Sequence, residues 1–119
     1  MSYVDAFVLP VPLDRLDDYL RLARRAGEIW KEYGALEYVE CVGDDIRPGE
    51  RTSFPQSVRL EPGETVIFAW VRYASRADRD RILPQVLDDP RLADMVDHAL
   101  LPFDGKRLFW GGFRERIRM

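Results

Sequence analysis

The sequence predicts a small α+β domain: a four-stranded antiparallel sheet with its helices on one face, the split β-α-β arrangement. Three observations predict it. Stretches of β type and helical type follow one another as strand, helix, strand, strand, helix, strand. The 119 residues suit one domain, 1–119, with no repeat or linker long enough to divide them. The strands are also apolar on both faces, so the face the helices leave bare should meet something other than water.

The first strand is predicted over Tyr3–Leu9, closed by Pro10 and Pro12. A long amphipathic helix follows over Leu13–Tyr33. Leu13, Leu16, Leu20, Ala23 and Trp30 recur at helical spacing, and Tyr19, Ala26 and Tyr33 widen the stripe. Asp14, Asp17 and Asp18 lie early and Arg24, Arg25 and Lys31 late, as the helix dipole favours, and Gly34 supplies a left-handed stop. The second strand is Leu36–Val42. From Gly43 to Gln56 the chain is polar, a length that predicts a short hairpin or a functional loop pinned by Phe54. A short strand at Ser57–Leu60 and a turn at Pro62-Gly63 lead to the third full strand, Thr65–Tyr73, rich in β-branched and aromatic residues. Ser75 is placed to cap a helix reaching Leu87, with Arg79 and Asp80 on its outer face. Asp89 and Pro90 open a third helix ending near His98. Asp104-Gly105 turns the chain into a last strand, Arg107–Ile117, interrupted at Gly111-Gly112.

This order is the ferredoxin-like one. Along the third strand Val66, Phe68 and Trp70 share one face, and Ile67, Ala69, Val71 and Tyr73 the other. The first strand sets Val4, Ala6 and Val8 against Tyr3, Phe7 and Leu9. A second apolar face of several hundred square ångströms usually marks an interface. Burying ~500 Å2 of it returns roughly 12 kcal/mol before entropic costs. The expectation is a homodimer packed sheet to sheet; the alternative is that the Gly43–Gln56 loop folds over the face of a monomer.

Charge and composition exclude several classes. A net charge of −3 argues against a nucleic-acid partner, which needs a concentrated basic face. The single cysteine, Cys41, allows no internal disulfide, and no apolar run is long enough to cross a bilayer. With no signal-like N-terminus, a cytoplasmic location is expected.

The stretches Tyr3-Val4-Asp5 with Phe7-Val8, Gly34-Ala35-Leu36 with Glu40-Cys41, Val66–Trp70 and Asp89-Pro90-Arg91 carry a family resemblance. Pro102-Phe103-Asp104-Gly105-Lys106-Arg107 with Gly111-Gly112-Phe113 is its most specific part. The chain resembles the YbaA-like family of small bacterial proteins of unknown function. That resemblance implies membership of the dimeric α+β barrel superfamily and brings no named reaction. Related barrels include cofactor-independent monooxygenases, haem-degrading enzymes and small isomerases, which place substrates between sheet and helices.

Few residues invite chemistry. His98 is the single histidine, so one chain cannot build a multi-histidine metal site. It reads as a solvated helix-end residue rather than a haem ligand or a partner of Asp97. Cys41 reads as a small buried strand residue. Asp5 shares its face with Tyr3, Phe7 and Leu9, apolar company in which a carboxylate becomes either a general base or half of an ion pair. The ion pair is favoured, with Lys106 or Arg107 as partner. Glu40 shares a face with Tyr38, opposite to Glu37, and is the inward carboxylate of its strand. Catalytic candidates are therefore Asp5 and Glu40. The candidate pocket residues for a flat hydrophobic or aromatic ligand are Trp30, Tyr38, Trp70 and Lys106. No metal or cofactor is implied. Pro102–Gly112 has the composition of a ligand loop, and Gly111-Gly112 predicts a bulge or a close backbone approach. The function expected is small-molecule binding without a named reaction; the alternative is a monooxygenase-like or isomerase-like enzyme. RNA association has only the basic end, Arg107–Arg118, behind it.

Overall fold

A computed structural model describes residues 1–95 and 101–119. Four strands, β1 (Tyr3–Pro12), β2 (Glu37–Val42), β3 (Glu64–Tyr73) and β4 (Phe109–Arg114), form one sheet in the order β2-β3-β1-β4, all neighbours antiparallel. Helix α1 (Leu16–Glu32) links β1 to β2. Helices α3 (Arg76–Leu87) and α4 (Pro90–Met95) follow β3, and a single turn, α2 (Phe54–Ser57), lies in the long connection before it.

The pleat divides β1 cleanly. Tyr3, Phe7, Leu9 and Val11 pack beneath the helices with Ala23, Ala26, Ile29, Trp30, Ile82 and Val86, forming the core. Val4, Ala6 and Val8 face the other way. Alternation alone predicts this division, since a one-residue slip would expose the whole inner set.

Several local expectations are corrected. β1 does not stop at Leu9: it continues to Pro12, pairing Pro10 with Val66 and Pro12 with Glu64. Its pairing with β4 ends at Val8, so the prolines sit where β1 has a free edge and owes no bond. A 3-10 turn at Leu13–Arg15 precedes α1, and Gly34 ends it at φ +114° as anticipated. No hairpin or short strand forms between Gly43 and Leu60. Phe54 is half exposed, edge-on to Phe68, and the true anchor is Val58, buried with Val8 and Val66 beside Ile46 and Leu60. α2 and this anchor therefore lie on the face opposite the other helices, covering one end of it. Ser75 caps α3, accepting from the Asp78 amide at 3.1 Å. β4 is not interrupted by its glycines: Gly111 pairs with Ala6 and Gly112 with Asp5, and the strand ends at Arg114 rather than Ile117. The predicted end of the third helix near His98 lies outside the described residues.

Candidate functional site

Two carboxylates stand on the helix-facing side of the sheet. Asp5, in central β1, is fully buried. Its oxygens accept from Tyr73 Oη at 3.0 Å and from Arg79 Nε at 3.1 Å, and Arg79 Nη2 lies 3.1 Å from Oδ1. Tyr73 accepts in turn from Trp30 Nε1 at 3.1 Å. The Arg79 guanidinium lies 5.0 Å from the centre of the Tyr3 ring and 5.8 Å from that of Trp110. Hydrogen bonding to Asp5 raises the Arg79 pKa, and burial raises the Tyr73 phenol. A Cβ on Gly112 would stand 2.5 Å from Arg79 Nη2, so the glycine admits the guanidinium. The close approach expected there is to a side chain of the protein's own.

The ion pair at Asp5 is of the kind expected, but its partner is corrected. Lys106 and Arg107 lie elsewhere, and Arg79 turns inward instead of outward. Its side chain is 14% exposed because it shares the face of Ile82 and Val86, three and seven residues on. Arg107 binds both oxygens of Glu64 at 2.8 Å and donates to the Arg59 carbonyl at 3.1 Å. This clamp joins the Pro102–Arg107 segment to the start of β3 and to the chain after α2. It leaves that segment the geometry of a fastening.

Glu40, on edge strand β2, is built differently. Tyr19 of α1 donates to Oε2 at 2.9 Å and Tyr38 donates to Oε1 at 2.7 Å. Glu40 and Tyr38 point toward the helices and Glu37 toward the opposite face, where Arg72 Nε donates to it at 2.6 Å. Burial raises the Glu40 pKa above the ordinary carboxylate value, outweighing the two phenols' opposing pull. Burial and the adjacent carboxylate together push both phenols far up. A cleft of about 1360 Å3 runs between α1 and β2, lined by Leu20, Ala23, Arg24, Gly27, Tyr38 and Glu40 among others. A Cβ on Gly27 would meet Tyr38 Cδ1 at 2.6 Å, so the helix passes the ring only because it has none there. Tyr38 rests on Trp30, ring centres 5.6 Å apart.

Of the candidate pocket residues, the fold brings Trp30 and Tyr38 together with Glu40. Trp70 lies on the opposite face of the sheet, and Lys106 is exposed in the 3-10 turn Gly105–Arg107. Cys41 is exposed rather than buried, because its face of β2 carries no helix. His98 and Asp97 lie outside the described residues. Tyr19 was missed as a polar residue. Its place in the apolar stripe of α1 concealed a hydroxyl that reaches across to the strand.

Among the described residues no group of three or more His, Cys, Asp or Glu could hold a metal ion, and no helix is long and apolar enough to cross a membrane. A fold likeness links the chain to an uncharacterised NIPSNAP domain protein from Burkholderia xenovorans. It has a TM-score of 0.55 and 9% identity, over 96% of this chain and 94% of that one. A de novo designed protein, Foldit4, matches with a TM-score of 0.51 and 14% identity, over 98% of this chain and 100% of that one. Uncharacterised protein YbaA of Escherichia coli (strain K12) is 41% identical over 117 residues, 98% of both chains, and its Shigella flexneri counterpart matches equally. The model of the family described as "Protein of unknown function (DUF1428)" matches residues 2–105, and with that match and the YbaA identity the chain belongs to this family.

Proposed function

We propose that residues 1–119 form one ferredoxin-like domain that works in the cytoplasm as a homodimer, a dimeric α+β barrel. Each copy binds a small flat hydrophobic or aromatic molecule in the cleft between α1 and β2. The observation that carries the binding reading is the cleft itself: a sizeable concavity with a largely charged lining, in which the Tyr38 ring, backed by the buried Trp30, stands beside Glu40. Titration with 2-naphthol, followed by amide NMR, tests it. Shifts at Gly27, Tyr38 and Glu40 at millimolar ligand are expected, and unchanged signals there would remove the reading.

The pairing rests on the bare sheet face. Val58 covers its end near Val8, and Glu115 and Arg118 of the tail reach Ser2 and Glu37. Between these, Phe68, Phe109 and Phe113 are 37%, 47% and 59% exposed, with Trp70 and Cys41 beside them. Part of the cover that the alternative required therefore exists, and an aromatic centre is left over. Sedimentation at micromolar concentration should give a dimer, and Phe113→Glu should give a monomer of unchanged fold. A wild-type chain that sediments as a single subunit rules the pairing out.

An enzymatic reading draws on one feature, the Glu40 carboxyl held above its ordinary value by burial at the edge of the cleft, which suits a residue that takes or gives a proton.

A further inference from the structure

We propose that the cleft is selective for a planar cation with two adjacent N–H donors, of the amidine or aryl-guanidine class, gripped by the carboxylate of Glu40. This deepens the binding reading above and rests on it.

The argument begins with lone pairs. A carboxylate offers about four acceptor positions, two on each oxygen. Among the described residues one phenol occupies each oxygen of Glu40, Tyr19 on Oε2 and Tyr38 on Oε1. One position per oxygen is left. A forked N–H pair places one donor on each oxygen, the pattern that makes guanidinium–carboxylate contacts bidentate.

The polarity of the site sets the ligand's sign. Both phenol hydrogens are already spent on Glu40, so what faces a ligand there is acceptor oxygen. A carboxylate, phosphate or carbonyl arriving at Glu40 would meet lone pairs and a like charge. A donor would meet neither.

Charge balance gives the third reason. Asp5 has Arg79 in contact. For Glu40 the forces on its proton are burial and the two phenols, with no cation among them. Of the cations nearby, Arg21 pairs with Asp18, Lys31 donates to the Leu36 carbonyl at 2.7 Å, and Arg72 pairs with Glu37 across the sheet; Arg24 also lines the cleft, and among the described residues it makes no salt bridge to Glu40. A partly buried anion without a counter-ion is costly, and a bound cation would remove that cost. The Tyr38 ring lines the cleft beside Glu40 and offers a flat surface to a planar body.

The test compares benzamidine with benzamide, two molecules of one shape that differ in charge and in a donor replaced by an acceptor. Titrations are followed at the Gly27 and Tyr38 amides, with 2-naphthol run alongside. Benzamidine is expected to bind at least tenfold more tightly than benzamide, and Glu40→Gln to weaken benzamidine at least tenfold with its near-ultraviolet circular dichroism unchanged. Carbon-13 NMR of the Glu40 carboxyl in the wild type needs no variant: saturating benzamidine should move its titration to lower pH. Equal binding of the two probes, or an unmoved carboxyl titration, overturns the cation selectivity. If 2-naphthol still shifts the cleft signals in that case, the binding reading stands without it. If no probe shifts them, both fall.

Discussion

Asp5 and Glu40 lie on the same face of one sheet and answer burial in opposite ways. Asp5 sits in a central strand, beneath α3, and its charge is met by a guanidinium and a phenol, so nothing is left over for a ligand. Glu40 sits on an edge strand, where the sheet gives one side of the environment and the cleft the other. Two phenols orient it without neutralising it. The difference teaches that a carboxylate's position across the sheet decides its use. A central one must be paired within the fold, whereas an edge one can keep acceptor capacity for something that comes and goes.

The comparison can be broken most forcefully at Asp5. Asp5→Ala leaves the enclosed Arg79 guanidinium with only the half-exposed Asp80 carboxylate, 2.9 Å from Nη1, and should cost about 3–5 kcal/mol in urea denaturation. Combining it with Arg79→Met should cost less than the two single changes added together, because the orphaned charge goes too. Additive losses would show that the pair is not a unit. Next in size is Tyr73→Phe. It removes the hydroxyl that accepts from Trp30 and donates to Asp5, leaving two buried groups short of a partner at about 1–3 kcal/mol.

Glu40→Gln should have the smallest effect, under about 1 kcal/mol, and its pH dependence sharpens the contrast. Burial holds the folded carboxyl above its ordinary value of 4.5. The folded state therefore favours the proton: this contribution is fully present below the unfolded value and is lost as pH rises through the folded one. Glutamine does not ionise, so the variant should gain stability relative to wild type over the range that starts at the ordinary value of 4.5 and runs up through the folded one. A constant difference across that range would mean that burial does not disfavour the Glu40 charge.

Much of this was legible in the residues. Period-two alternation in β1 and β3 assigns each side chain to a face, places Asp5 among Tyr3, Phe7 and Leu9, and turns Glu40 inward with Tyr38 while Glu37 turns out. The kind of partner Asp5 needs was legible too, but not which one, because Arg79 is 74 residues away along the chain. The helical spacing of Arg79 with Ile82 and Val86 was the available signal. A charged residue on an apolar stripe reads as surface until a buried acid opposite it is known. Cys41 and Phe54 were misjudged for a related reason: an apolar residue says that it prefers burial, and only the packing says whether anything arrives to bury it.

By itself the sequence determined the family, the order of strands and helices, and the face to which each strand residue points. All of these follow from local periodicity, caps and motifs. Only the tertiary structure decided that Arg79 answers Asp5, that Arg107 fastens the Pro102–Arg107 segment to Glu64, and that Tyr19 joins Tyr38 on Glu40. Those contacts unite residues from separate elements, and their geometry follows from how helices settle on a twisted sheet, which no local pattern encodes.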